Sequence, residues 1–322
     1  MVWPRCDQKT CVKAIVAAGL EVLVVENVLE GDQLRTGVDA VQRKISDVGP
    51  EAVVCVLSTS SCFAPRAADK LLEVAQVCAT VGVGHVINNA YGVQAQPLCQ
   101  AICAACRRGR VDAVVQSTDK NLQVPVGGSI VAAPKPKDGE ATLVAAINEA
   151  YPGRACMAPL LDVLMTLLYL GRSGWLAALE ARSEGFNYLR VKLSEVAAQH
   201  GERLLETPDN PISMGMTLCS LSRHDTDDDI AFLGSMLFAR CVSGTRTVPR
   251  GKTQQVGGLI FKGYGAHYDS YPVPYLTAAA SLGMTHNDVD VFCTRLNKCF
   301  DDIRRKQASR TVTASGATEQ TG

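Results

Sequence analysis

The amino-acid sequence predicts an α/β protein: an open, doubly wound, mostly parallel sheet followed by a smaller C-terminal α+β domain. Three observations carry this expectation. Up to about residue 135, strand-like and helix-like segments alternate. The strand-like segments are continuous apolar runs, the pattern of parallel strands covered on both faces. Beyond Tyr151-Pro152-Gly153-Arg154 the rhythm changes to long amphipathic helices with fewer strands.

Taken in order, residues 10–18 form an amphipathic segment of helix length. Residues 21–26 are an apolar run bounded by Glu21 and Glu26, hence a strand. Helices over 37–48, 67–81 and 96–108 then alternate with strands over 52–57, 85–88, 112–116 and 128–132. Past the junction, residues 159–170 read as a buried helix. Trp175, Leu179, Phe186, Leu189, Leu193 and Val196 recur at helical spacing along one long helix. A turn at 208–211 precedes a strand-like segment over 213–221, and helices are expected over 227–239 and 286–305. From Ser309 the chain is Ser, Thr, Gly and Gln without periodicity, the composition of a disordered tail. The expected division is a large domain over 1–155, a small domain over 156–308 and a tail over 309–322.

Composition narrows the class. The 322 residues are 47% hydrophobic and 20% charged with a net charge of +0. That argues against a bulk electrostatic nucleic-acid binder and leaves room for a local basic patch. The thirteen cysteines follow no apolar leader, since the chain opens Met1-Val2-Trp3-Pro4-Arg5. Several, such as Cys55 and Cys78, sit inside apolar runs and read as small core residues. No apolar run is read as reaching the roughly eighteen residues of a bilayer span. The expected setting is a reducing cytoplasm, with no membrane.

Two strand ends carry the chemistry. Lys120, in Ser117-Thr118-Asp119-Lys120-Asn121, follows an apolar run and precedes Val126-Gly127-Gly128. A Schiff-base lysine for pyridoxal phosphate needs that setting: an amine at the sheet edge, with hydroxyls and glycines for the phosphate. A solvated strand-end lysine fits the same local pattern. Some thirty residues upstream stands Asn88-Asn89-Ala90. Pyridoxal enzymes of the aspartate-aminotransferase fold use Asp-x-Ala there, the acid bonding the pyridine nitrogen and the small residue lying against the ring. Asn88 with Ala90 is a neutral version, a weaker electron sink suited to eliminating a good leaving group. An Asn-rich turn closing a strand is the plain alternative.

Cys99-x3-Cys103-x2-Cys106 has the spacing of a three-thiolate iron–sulfur site, yet i, i+4, i+7 is also one helix face, and that reading is preferred. No HxxH, HExxH, Gly-x-Ser-x-Gly or Walker pattern occurs, and no metal is expected. Arg107, with Arg108 and Arg110, suits a helix C-terminus, and Arg154 suits either a turn or an anion contact.

Several segments together resemble one family. They are Trp3-Pro4-Arg5-x-Asp7-Gln8-Lys9, Glu26-Asn27-Val28-Leu29-Glu30-Gly31-Asp32, Ser61-Cys62-Phe63-Ala64-Pro65-Arg66, Asn88-Asn89-Ala90-Tyr91-Gly92-Val93-Gln94, Asp119-Lys120-Asn121 and Tyr151-Pro152-Gly153-Arg154. Their order and spacing are similar to those of the O-phosphoseryl-tRNA(Sec) selenium transferase family over residues 3–305. The resemblance implies a fold type I pyridoxal-phosphate transferase that converts phosphoserine on the selenocysteine tRNA to selenocysteine, with selenophosphate as selenium donor. Lys120 takes the Schiff-base and proton-transfer role. Asn88, Ala90 and Gln8 contact the cofactor, and Arg154 and Lys9 the substrate phosphate. Arg107 and Arg240 meet the tRNA, Arg240 nearer the discriminator base. A homo-tetramer is implied for the family. Members also carry well over a hundred residues ahead of the Trp-Pro-Arg segment, so the chain is expected to start partway into its domain. Two other readings follow: an inactive tRNA-binding homologue, and a pyridoxal lyase or desulfurase acting on free amino acids.

Overall fold

The computed structural model describes residues 1–318 except 136–142, 152, 155 and 223–226, with side chains to residue 309. Pro152 of the junction motif and residues 319–322 of the expected tail therefore lie outside the described residues.

The first sheet begins earlier than expected, at β1 (Val2–Pro4), which is followed by helix α1 (Lys9–Ala17) and β2 (Leu23–Val25). Val2 and Trp3 are both fully buried because successive strand residues face opposite sides. Val2 packs with Val41, Ile45 and Val74, whereas Trp3 packs with Val12 and Ile15 of α1. A hairpin comes next, β3 (Asn27–Glu30) and β4 (Gln33–Thr36), with Glu30 opposite Gln33. Gly31 opens its two-residue loop at φ 64°, a conformation that glycine adopts without penalty. The sequence reading missed this hairpin, although Gly31-Asp32 is a turn signal.

Helix α2 (Val38–Val48), β5 (Cys55–Thr59), α3 (Leu71–Val81), β6 (Gly84–Asn88), α4 (Gln96–Arg108) and β7 (Ala113–Ser117) continue the alternation. A short turn of helix, α5 (Thr118–Asn121), leads to β8 (Ser129–Ala132). The strand order is β2-β1-β5-β6-β7-β8. All of these pairings are parallel except that of β8, which runs antiparallel to β7. Helix α3 starts at Leu71 rather than 67 because the backbone before it joins the sheet: the Ala67 amide donates to Leu34 O and the Asp69 amide to Thr59 O.

Helix α6 (Leu143–Ala150) precedes α7 (Ala158–Gln199), a long helix kinked at Gly171 (φ 56°, ψ −172°). Its first part corrects the expectation of a buried helix over 159–170. Leu164, Met165 and Leu168 are exposed, and Tyr169 is 89% exposed. The kink breaks the axis before the packed second part begins, so the apolar face of this part does not continue onto the core that the second part joins. By length and composition alone, α7 is also apolar enough to cross a bilayer, contrary to the reading that no stretch is.

The second part of α7 is built into a core by Phe186, Leu189, Leu193 and Val196. That core is completed by β9 (Ser213–Thr217), α8 (Asp228–Ala239), β13 (Tyr275–Ala279) and α9 (His286–Thr318), with β10 (Arg246–Val248) paired beside β13. The small antiparallel sheet runs β10-β13-β9. Between β10 and β13 the hairpin β11 (Gln254–Val256) and β12 (Leu259–Phe261) crosses back to the first sheet. Phe261 meets Trp3 edge-on with ring centroids 6.1 Å apart. Helix α9 continues to Thr318, past the point where the tail was expected to lose structure. Arg, Gln and Ala at 304–308 favour helix, and the Ser309 hydroxyl is turned back onto Arg305 O instead of competing from a loop.

Candidate active site at the strand carboxyl ends

Because β1, β5, β6 and β7 are parallel, their carboxyl ends open on one edge of the sheet, the usual position for ligands in such folds. Asn88 ends β6. Its Oδ1 accepts the Ala90 N–H at 3.1 Å, and its Nδ2 donates to Cys11 Sγ at 3.4 Å. The amide is thereby oriented, with one N–H left for the cavity.

Lys120 lies in α5, directly after β7. Its ammonium donates to Asp119 Oδ2 at 2.9 Å and to Ser117 Oγ at 3.2 Å, and sits 5.9 Å from the Tyr91 ring centroid. Asp119 is held below the usual carboxyl range: partial burial pushes it up, but the Ser117 hydroxyl and Lys120 ammonium outweigh that. Burial pushes the Tyr91 phenol up, so it stays neutral.

Asn121, which the sequence reading left inside a motif without a role, fixes the lysine. It is almost fully buried. Its Nδ2 donates to Ala90 O at 3.0 Å and Ser117 O at 2.9 Å, while its Oδ1 accepts the Val93 N–H at 3.2 Å. One side chain thus ties the Lys120 turn to the Asn88–Ala90 turn. Asn121→Ala is expected to lower any Lys120-dependent turnover about 10- to 100-fold through misplacement of the amine. Steady-state rates beside a urea midpoint check this, because a purely structural role would move only the midpoint.

Lys120 stands between two cavities. The first, about 430 Å³, is lined by Gln8, Cys11, Thr59, Asn88, Ala90 and Ser117. Gln8 Nε2 and Thr59 Oγ1 are buried in its wall and have no hydrogen-bond partner among the described residues. Buried polar atoms are rarely left so, and a bound ligand is one resolution. A flat pyridine carrying an oxyanion suits this donor set: an amide edge at Asn88, a small methyl at Ala90, orphaned donors and a nearby primary amine. The residues present fit pyridoxal phosphate.

The second cavity, about 590 Å³, opens between the two sheets, with Phe63, Tyr91 and Lys120 on one wall and Gly244, Ala280 and Arg295 on the other. A third recess of about 440 Å³ holds Lys9, Arg246 and Lys252, and Gln8 lines both it and the first cavity. Arg246 also stacks 5.0 Å over the Phe63 ring. No local signal marked Arg246 in the sequence, since only the return of β10 brings it to this edge.

The structure thus brings together Lys120, Asn88, Ala90 and Gln8, with Lys9 adjoining. The other arginines stand apart. Arg154 is exposed and lines none of these three cavities. Arg107 is exposed in the last turn of α4. Arg240, half-buried at the end of α8, donates to Asp302 Oδ2 at 2.6 Å and shares a recess with Phe232, Arg305 and Lys306. Cys99, Cys103 and Cys106 lie on α4, where Cys99 Sγ donates to Gly92 O at 3.4 Å.

Comparison with known proteins adds to this geometry. A family model described as O-phosphoseryl-tRNA(Sec) selenium transferase, SepSecS, matches residues 1–301. The curated enzyme of that name from Dictyostelium discoideum is 42% identical over 315 residues, covering 94% of this chain and 65% of its own length. That from Caenorhabditis elegans is 39% identical over 309 residues, covering 96% and 62%. The chain therefore spans a little under two thirds of these relatives. The crystal structure of the archaeal enzyme superposes with a TM-score of 0.81 at 27% identity, covering 92% of this chain and 63% of that one. A more distant likeness, at 15% identity and a TM-score of 0.67, is to Oryza sativa TDC solved with PLP and tryptamine, covering 94% and 60%. The chain has the α/β fold type I architecture of these proteins.

Proposed function

The chain belongs to the O-phosphoseryl-tRNA(Sec) selenium transferase family, and from that premise we propose that it is a pyridoxal-phosphate-dependent transferase. Its proposed reaction replaces phosphate by selenium on phosphoserine esterified to the selenocysteine tRNA, with selenophosphate as donor. The observation that carries this reading is the place of Lys120, whose amine stands between a cavity with orphaned polar atoms and a larger cavity opening between the sheets.

Pyridoxal phosphate, when bound, supplies an electron sink that makes the Cα proton of an attached amino acid labile. The chain's own residues do the rest. The free N–H of Asn88 would hold the pyridine nitrogen, and as a neutral group it would leave that nitrogen uncharged. The sink is therefore modest, which suits loss of phosphate, a good leaving group. Ala90 would back the ring, and Gln8 and Thr59 would offer it their unused polar atoms. Lys120 must leave Asp119 and shed its proton before its amine removes the Cα proton. Lys9 and Arg154, joined by Arg246, would hold the departing phosphate, and Arg107 and Arg240 would meet the tRNA backbone and acceptor end. We further propose a homo-tetramer and a cytoplasmic setting, where the thirteen free thiols stay reduced.

The test is phosphate release by the chain supplied with pyridoxal phosphate. Release from phosphoseryl-tRNA that exceeds release from free phosphoserine by about 100-fold, roughly 2.7 kcal/mol of recognition, is expected. Equal rates on the two substrates point instead to a lyase acting on free amino acids. Binding of the tRNA without release points to a binding protein.

A further inference from the structure

The third recess gathers cations from three parts of the chain. Lys9 comes from the first turn of α1, Arg246 from β10 and Lys252 from the segment that follows it. None of the three forms an ion pair among the described residues. One acid lines the same wall, Asp7, and its oxygens are already taken by Arg5 and by the Gly265 and His267 amides. The recess therefore carries positive charge that no described residue neutralises.

Neutral donors join the cations. Helix α1 runs over Lys9–Ala17 and no side chain caps it, so its first amides are left without a side-chain acceptor at an end that favours anions. Gln8, which lines both this recess and the first cavity, has a buried Nε2 without a partner. Burial pushes the Tyr264 phenol up to about 12, so it keeps its proton as a donor. The walls are also tied to one another. The Tyr264 N–H donates to Lys252 O at 2.8 Å, the Gly265 N–H donates to Asp7 Oδ2 at 2.8 Å, and Arg246 is stacked 5.0 Å over Phe63.

We propose that this recess is a binding site for a free phosphoryl oxyanion, the chemical class of the selenium donor, and that it fills without the tRNA. Shape favours such a ligand over an RNA strand. A polyanion tracks an open groove, whereas here Lys9, Arg246 and Lys252 line one recess of about 440 Å³, which suits a compact tetrahedral anion. The role as donor site, unlike the binding itself, rests on the transferase reading. Gln8 borders the cavity in which that reading puts the reacting carbon, and Lys120 lines the same cavity.

Equilibrium binding of inorganic phosphate and of thiophosphate to the chain, without cofactor or tRNA, tests the site apart from the transferase reading. Saturable binding of either anion is expected, weakened about tenfold in Lys252→Met and in Arg246→Met. Lys252 is exposed, so its replacement should leave the urea midpoint close to that of the parent. Stoichiometric pyridoxal phosphate should not displace the anion, because neither Arg246 nor Lys252 lines the first cavity. The site is overturned if pyridoxal phosphate displaces the anion, or if neither variant weakens binding. It is also overturned if Lys252→Met weakens tRNA binding and leaves phosphate binding unchanged, which would make the recess an RNA contact. During turnover, Lys252→Met is expected to raise the KM for the selenium donor about tenfold with little change in kcat. Slower phosphate release at an unchanged donor KM would assign the recess to the departing phosphate and overturn the donor role. Anion binding without any turnover would sink the transferase reading and leave the oxyanion site standing.

Discussion

Replacing Lys120 with alanine is expected to lower phosphate release from phosphoseryl-tRNA by at least about 10³-fold, because the proposed mechanism gives one residue both the covalent and the proton-transfer role. The visible absorbance of a lysine-linked pyridoxal phosphate should vanish with it. The fold should not suffer. The Lys120 side chain is 36% exposed, and the turn around it is held by Asn121 and by the Thr118 hydroxyl on Gly128 O at 2.8 Å. A surface change of this kind usually stays within about 0.5 kcal/mol. Lys120→Arg separates chemistry from charge: it keeps a cation beside Asp119 but cannot give up its proton at neutral pH. Both variants should therefore be inactive, with urea midpoints close to that of the parent. Activity within tenfold of the parent in either one would remove Lys120 from the mechanism.

Lys120 and Asn88 were legible in the sequence for a physical reason. Parallel strands are buried on both faces, so each appears as an unbroken apolar run, and the residue just past such a run sits at the ligand edge. What the sequence hid depends on distant returns of the chain. Trp3-Pro4-Arg5 lies outside every expected element, and becomes a strand only because β2 and β5 flank it and Phe261 closes over Trp3. Arg246 and Lys252 reach the recess beside Lys9 through residues 240–285, where the sequence predicts no element. Cys6, Cys62 and His267, whose donor atoms lie within 4.8 Å of one another, likewise come from three separate segments, and a spacing rule sees none of it. The exposed first part of α7 shows the converse. Its apolar pattern suggested burial, but composition does not say which face finds a partner.

Those distant returns are pinned by Arg5, and its loss is the largest stability effect expected in the protein. The Arg5 and Asp7 side chains are both 0% exposed and paired at 2.9 Å. Arg5 also reaches Glu26 at 3.0 Å, Asp269 at 2.7 Å and the Lys262 carbonyl, so it ties the end of β1 to the loop after β12. Glu26 and Asp269 are about half exposed, and each of those contacts contributes little alone. Asp7 is different. Its carboxylate also accepts the Gly265 and His267 amides at 2.8 Å, and without Arg5 it stays buried with its main countercharge gone. Arg5→Met is therefore expected to cost about 3–5 kcal/mol by urea unfolding at pH 7, as for other broken buried pairs. Removing both charges together, in Arg5→Met with Asp7→Leu, should recover part of that loss, because no uncompensated ion remains. Acid titration gives an independent reading of the same pair. Burial pushes the Asp7 carboxyl up, but its ion pair with Arg5 and the Gly265 and His267 amides together hold it below its ordinary value. The unfolded chain then binds the proton more readily than the native one. The contribution of Asp7 is fully present above about pH 4, the unfolded carboxyl value, and is lost as pH falls through the lower native one. Asp7→Asn should accordingly flatten the loss of stability below about pH 4 while lowering the midpoint at pH 7. An unchanged acid slope in that variant would mean that other carboxylates, not Asp7, carry the acid response.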